Sequence, residues 1–315
     1  MALEYRRMGR AGLKVSPLCL GTVLYGDHVD ERVSVDIMRR ALDAGVNFFD
    51  TANSYNDGLS EQYLGKALKG RRHEAVIATK VGGRVGQGPN LSCLNRKHIV
   101  AEIEGSLRRL RTDYVDIYYA HRFDPETPLE ETLGVFNDLV RQGKVRYLGC
   151  SNFAAWQLCK ASWIGDVRGI ETFECVQPRY NLLERDIERE LIPLCLDRRV
   201  AIFPYGTLAG GLLSGRFRGR GPEAASRLRT SASYYERYWH GANLDYIDVL
   251  DDVAKGSGHT LLQVALAWTI QQPAVTSAIV SARTWEQMGQ CIEALGVTLS
   301  EEERRACEVM PGGGP

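Results

Sequence analysis

AVIATK, residues 75–80, is an apolar and β-branched run that stops on a lysine. With no polar alternation, it reads as a parallel strand covered on both faces. Upstream, VNFFD (46–50) stops on Asp50, with Tyr55 shortly after it; downstream, VDIYYAH (115–121) stops on His121. If the three runs are neighbours in one sheet, Asp50, Tyr55, Lys80 and His121 converge at its carboxyl edge.

The same kind of run recurs along the chain. A hairpin is expected at the amino end (EYRRM, then LKVS after Gly12), followed by strands in VSPLCLGT, NFFDTA, AVIATK, VDIYYAH, RYLGCSN, ECVQP, AIFPYG and TSAIVSA. Between them lie helical patterns. VDIMRRALDAG puts Ile37, Ala41 and Leu42 on one face with Gly45 as C-cap, and NRKHIVAEIEGSLRRL has Asn95 as N-cap with Ile99, Ile103, Leu107 and Leu110 inward. Eight strands alternating with helices predict a single α/β domain over residues 1–315, a (β/α)8 TIM barrel with an N-terminal hairpin and long active-site loops. A doubly wound sheet would carry G-x-G-x-x-G after its first strand; GTVLYG has the wrong spacing, and no helix start follows until about Arg32. In a barrel, functional groups gather at the carboxyl ends of the strands, where these polar residues fall.

A phenol ionises near pH 10, so a tyrosine that gives and retakes a proton near neutrality needs a cation within about 4 to 6 Å. Lys80 is suited to be that cation, Asp50 to hold it charged, and His121, with a neutral imidazole, to orient a carbonyl or relay a proton. Singly, each has an ordinary reading: Asp50 as a turn cap, Lys80 as a surface charge, His121 as a satisfied loop histidine. Together, on three consecutive strand ends, they favour chemistry. A carbonyl so primed needs an electron pair, and hydride from a reduced nicotinamide fits.

Composition bounds the partners. The 315 residues carry 39 basic and 39 acidic side chains, which gives no electrostatic case for nucleic acid or a membrane surface. The local cluster RGRGPEAASRLR from Arg218 reads as a solvated loop. No apolar run approaches the roughly 20 residues of a membrane helix, and the start MALEYRRMGR lacks a signal-peptide core. Eight scattered cysteines without a C-x-x-C pair suit reduced thiols in the cytoplasm and argue against structural zinc; no metal site is expected.

In order, GTVLYG, FFDTANSYNDGLSEQYLGKAL, ATK, DIYYAH, GKVRYLGCSNF, VQPRYNLLER, PYGTLAGGLLSGR and SARTWEQ resemble the aldo-keto reductases over nearly the whole chain. The most specific parts are DTA-x-x-Y with G-x-SE after it, and the SN and GLL-x-G signatures. The resemblance implies an NADP(H)-dependent oxidoreductase reducing an aldehyde, ketone or sugar-derived carbonyl, with Tyr55 as acid-base, Lys80 and Asp50 as its supports, and His121 beside the carbonyl oxygen. It also implies cofactor contacts from Gly21, Thr22 and Asp50. Ser151, Asn152 and Gln177 would hold the nicotinamide carboxamide, and Tyr205 would stack on the ring. The Gly-rich stretch from Gly206, with Thr207, Leu208, Gly210, Leu212 and Arg216, reads as a loop that brings backbone N–H groups to a pyrophosphate. Arg283 would fork onto the adenosine 2′-phosphate, favouring NADP(H), with Ser281, Thr284 and Gln287 beside it.

Two departures matter. Cys291 stands where the family usually has Asn to read the adenine, a poorer hydrogen-bonding partner. Gly206-Thr207 replaces the usual Ser-Pro, which should loosen that turn. For the substrate, Tyr25, Phe123 and Trp239 are candidates, and the pocket is expected from GGRVGQGPNLSC, the segment from Arg218 to Asn243 and the tail. Tyr234, Tyr235, Tyr238 and Trp239 either line that pocket or fasten the segment. The tail MPGGGP is too short for a large lid, so an open site accepting bulky or polar carbonyls is expected. The alternatives are an NADPH-binding redox sensor resembling channel β-subunits with little turnover, and a barrel that isomerises or cleaves sugar phosphates without nicotinamide.

Overall fold

The computed structural model describes residues 3–217, 221–222 and 227–309. The expected loop from Arg218 falls partly, and the tail MPGGGP wholly, outside the described residues. A hairpin of β1 (Arg6–Arg7) and β2 (Lys14–Val15) precedes eight strands: β3 (Leu18–Gly21), β4 (Phe48–Asp50), β5 (Val76–Val81), β6 (Val115–Ala120), β7 (Val145–Ser151), β8 (Phe173–Gln177), β9 (Ala201–Ile202) and β10 (Ala278–Val280). All neighbours are parallel, in the order β10-β3-β4-β5-β6-β7-β8-β9. The last gap is bridged by the backbone, where Thr276 N–H donates to Ile202 O (3.0 Å) and Ile279 N–H to Pro204 O (2.9 Å). The eight expected strands thus make a closed (β/α)8 barrel.

Helices α1 (Glu31–Asp43), α2 (Leu59–Ala67), α3 (Arg96–Leu110), α4 (Leu129–Arg141), α5 (Ala155–Arg168) and α6 (Leu191–Arg198) separate the strands from β3 to β9. Between β9 and β10 come α7 (Arg227–Thr230), α8 (Ala232–Tyr238), α9 (Gly241–Gly256) and α10 (Leu261–Ile270); α11 (Trp285–Glu293) and α12 (Glu301–Ala306) follow β10. Asn95 caps α3 as expected, accepting from His98 N–H at 2.9 Å. In α1 the C-cap is Ala44, and Gly45 takes the left-handed conformation one residue later (φ +91°), where a side chain would be strained.

Side chains alternate between two cores, as a pleated strand requires. Leu20, Phe49, Ile77, Tyr118, Val176 and Ile202 face the helices. Cys19, Phe48, Ala78, Tyr119, Cys175, Phe203 and Ile279 fill the barrel, whose floor is closed by Met8 and Val15 of the hairpin. Gly149 belongs to this inner layer too, since a Cβ there would lie 2.4 Å from the Tyr119 ring. Advancing two residues from each inner position reaches the top of the barrel, at Gly21, Asp50, Lys80, His121, Ser151, Gln177, Tyr205 and Ser281. The period of the strand therefore delivers one residue from each of eight strands to a single ring.

Candidate active site

Lys80 is wholly buried and Asp50 nearly so. Their ion pair is supplemented by a hydrogen bond from Lys80 Nζ to Thr51 O (2.8 Å), and the same ammonium lies 3.4 Å from the Tyr55 hydroxyl. Burial alone would push the lysine down, but Asp50 and Tyr55 prevail and hold its pKa above the ordinary value. The other Asp50 oxygen accepts from Gln177 Nε2 at 2.8 Å, so the buried carboxylate has both oxygens occupied.

Tyr55 reaches the ring from a turn rather than a strand. Residues Tyr55–Gly58 form a 3-10 segment in which Asn56 and Asp57 have positive φ (50° and 53°). Those values are costly for non-glycine residues, and the Asn56 amide offsets the cost by donating to Val23 O (3.1 Å) and Tyr25 O (2.8 Å). His121 lies edge-on to Tyr55, ring centroids 5.8 Å apart. Burial, then the positive charges of Lys80 and Arg122, push the imidazole down to about 3, so it is neutral across the physiological range.

A chain of hydrogen bonds runs along the next three strand ends. Ser151 Oγ donates to Gln177 O (2.8 Å), Asn152 Nδ2 to Ser151 Oγ (3.0 Å) and to His121 O (3.0 Å), and the Tyr205 hydroxyl to Asn152 Oδ1 (2.7 Å). Strand alternation would turn Asn152 outward; its left-handed backbone (φ 57°) turns it back, so consecutive residues serve one site.

These groups line one end of a cavity of about 740 Å³ that extends past Gly206, Thr207, Leu208, Gly210 and Arg216 to Ser281, Arg283, Gln287 and Cys291. The Gly-rich stretch is not an open loop. Ala209–Ser214 winds as 3-10 turns with positive φ at Ala209, Gly210 and Gly211. The turn before it is also firmer than its composition implies: Thr207 Oγ1 donates to Ile279 O (3.1 Å) and Asn181 Nδ2 to Gly206 O (3.0 Å). Gln287 accepts from Arg283 N–H (2.9 Å), while Thr284 caps α11. Burial pushes the Cys291 thiol up to about 12.

Several expected residues stand elsewhere. Thr22 has the outward parity of Leu20 and is buried behind β4, where its hydroxyl donates to Asp50 O (3.0 Å). Leu212 is in the core beneath α9 and α10. Tyr25 is wholly buried in the core between strands and helices, with burial raising its pKa, and it does not face the cavity. Phe123 packs on Phe153 and Trp156, and Trp239 stacks on Tyr235, both off the cavity wall. The aromatic segment divides its labour. Tyr234 lines the cavity, and buried Tyr238 fastens α8 through a 2.6 Å bond to Glu184. Sequence reasoning passed over Leu24, Arg179 and Gln290, which also line the cavity. For Arg179 the signal was present, two residues beyond Gln177 on the inward parity.

The dimensions and donor set of the cavity suit a dinucleotide. Carboxamide-sized polar groups cluster at the Tyr55 end, and two guanidiniums stand at the other. Gly211 (φ +97°) leaves room that a Cβ would fill at 2.6 Å from Arg216 Nη2, so the cation lies directly against bare backbone.

A closed parallel barrel with its polar groups at the strands' carboxyl ends defines a (β/α)8 enzyme scaffold. Residues 17–310 match the aldo/keto reductase family, and the chain belongs to it. The uncharacterized oxidoreductase YrpG of Bacillus subtilis (strain 168) is 39% identical, over 99% of this chain and 97% of its own. A probable voltage-gated potassium channel subunit beta of Oryza sativa subsp. japonica is 35% identical, over 94% and 92%. Versiconal hemiacetal acetate reductase of Aspergillus parasiticus is 33% identical, over 96% and 95%. Among the described residues no helix is long and apolar enough to cross a membrane.

Proposed function

We propose that the chain is a cytoplasmic NADP(H)-dependent reductase of aldehyde, ketone or sugar-derived carbonyls, with Tyr55 as the proton donor. The observation that carries this reading is the buried Asp50–Lys80 pair with its ammonium 3.4 Å from the Tyr55 hydroxyl, beside a neutral His121 at the end of the cavity. When bound, the reduced dinucleotide supplies a hydride to the carbonyl carbon. Tyr55 gives its proton to the carbonyl oxygen, completing the alcohol, and the Lys80 ammonium stabilises the phenolate until solvent returns the proton. His121, uncharged, donates a hydrogen bond to the same oxygen and fixes the face presented.

Gln177 commits its amide nitrogen to Asp50 and keeps Oε1 as an acceptor, while Asn152 Oδ1 keeps a second lone pair; both suit a carboxamide NH2. Tyr205 would stack on the ring, Gly206–Arg216 would receive the diphosphate and Arg283 the 2′-phosphate. Gln287 and Gln290 stand where the adenine would lie, beside Cys291. A chain kept only to bind a dinucleotide has no physical need of a buried ion pair under Tyr55, which disfavours the channel-subunit-like reading.

Stopped-flow oxidation of bound NADPH by a panel of carbonyls tests the proposal. Turnover with at least one class is expected, lost by at least about 1000-fold in Tyr55→Phe while NADPH affinity changes little. No oxidation by any carbonyl, or a loss of cofactor affinity as large as the loss of rate, overturns it.

A further inference from the structure

Arg179 lies two residues beyond Gln177 on the inward parity of β8 and lines the cavity. It sits beside the proposed reacting end. Its guanidinium carbon is 5.5 Å from the Tyr205 ring centroid, and Tyr205 is bonded through Asn152 to the His121 carbonyl. Gly206 makes this placement possible: at φ +68° it has no Cβ, and one there would come 3.3 Å from Arg179 Cγ.

The charge of this arginine is only partly compensated. Nη1 donates to Glu184 Oε1 (2.7 Å), but that oxygen also accepts from Arg237 Nη1 (2.9 Å), and Oε2 accepts from the Tyr238 hydroxyl (2.6 Å). Two guanidiniums and a phenol thus share one carboxylate. The Nε–H of Arg179 is buried and has no acceptor among the described residues. Arg122 follows His121 in the chain and its charge reaches the imidazole, while Asp50 is committed to Lys80. Arg179 therefore brings an incompletely compensated positive charge to the Tyr205 side of the cavity, separately from Arg216 and Arg283 at the phosphate end.

We propose that Arg179 is a specificity-determining residue that takes an anionic oxygen group, carboxylate or phosphate, carried by the carbonyl substrate. The inference rests on the reductase reading of the same cavity. A planar guanidinium held by Glu184 at one nitrogen is oriented in advance, and its fork matches the two oxygens of an oxyacid. Glu184 is a positioning residue: it orients the arginine and tempers its charge.

The test compares kcat/KM for 4-carboxybenzaldehyde against its methyl ester, and for glyceraldehyde 3-phosphate against glyceraldehyde; the two pairs separate a carboxylate from a phosphate preference. The anionic member of at least one pair is expected to be favoured. Arg179→Gln should lower that acid-over-neutral ratio by roughly 10- to 100-fold, Arg179→Lys should restore part of it, and NADP+ affinity should change less than about threefold. Glu184→Gln should move the ratio the other way, because it removes the shared negative charge. A ratio unmoved by Arg179→Gln, a fall in both Arg179→Gln and Glu184→Gln, or a loss appearing in NADP+ affinity instead overturns the inference. Equilibrium binding of 4-carboxybenzaldehyde and its ester to the NADP+-loaded protein separates the two readings. Arg179-dependent preference without turnover defeats the reductase and supports the anion site; turnover without preference does the reverse.

Discussion

At the residue scale, the site is a set of charges held out of water, and its pH behaviour follows from how each is held. Lys80 is the pivot, because burial opposes its charge while Asp50 and Tyr55 favour it. In Lys80→Met the phenolate of Tyr55 loses its cation, so the alkaline limb of alcohol oxidation against pH should move upward; an unmoved limb would refute the coupling. The same variant strands the Asp50 carboxylate with Gln177 as partner, which should destabilise the fold by about 3–5 kcal/mol, measurable as a lower urea midpoint. His121 has the opposite linkage. Its folded pKa near 3 lies below the usual 6.5, so between those values the unfolded chain binds the extra proton and folding weakens as pH falls. Stability should be full above about pH 6.5 and decline toward pH 3, and His121→Gln should flatten part of that decline in urea titrations. Buried His98, also pushed down by burial, adds a decline of the same sign that the variant leaves in place.

At the element scale, the strand period is what made the fold and most of the ring legible from sequence. Each apolar run fixes which of its residues face inward, and the next inward position beyond it is a ring residue. That rule finds Asp50, Lys80 and His121 without knowledge of any loop; Ser151, Gln177 and Tyr205 share the same parity, but their roles came with the family resemblance. It fails where the backbone leaves the period. Asn152 needs a left-handed residue to reach the site, the Gly-rich segment coils into 3-10 turns, and Tyr25, beyond the end of β3, packs into the helix-facing core instead of the cavity. Helix packing obeys a second local constraint that composition hides. Gly65 of α2 faces the end of α3, and a Cβ there would lie 2.6 Å from Leu110 O and 2.9 Å from Arg109 O. Gly65→Ala gains about 1 kcal/mol of helix propensity, but backbone atoms cannot rotate aside, so overpacking of about 1–3 kcal/mol should prevail. The expected result is a thermal midpoint lower by a few degrees, with a fall in kcat as α2 shifts the adjoining Tyr55 turn. An unchanged midpoint would mean the two helices separate freely.

At the scale of the whole molecule, the proposed cofactor would join strands from both sides of the barrel, touching Ser151 and Gln177 on one side and Arg283 beyond β10 on the other. β10 and β9 close the barrel through only a few backbone bonds, so a ligand spanning that seam should stabilise the entire fold. At a hundredfold excess over Kd the gain is about 2.7 kcal/mol. Unfolding entropy scales with length, which makes this roughly 4 °C in thermal midpoint for a chain of this size. Arg283→Ala should weaken NADPH binding by about 1.5–3 kcal/mol, the cost of a charge-assisted contact to phosphate. At the same NADPH concentration the midpoint gain should then fall to about 2 °C or less. NADH carries no 2′-phosphate, so its smaller gain should be the same in both proteins. Differential scanning calorimetry of the two proteins with each dinucleotide reads both quantities, and equal losses for NADPH and NADH would place Arg283 at a part of the cofactor common to both.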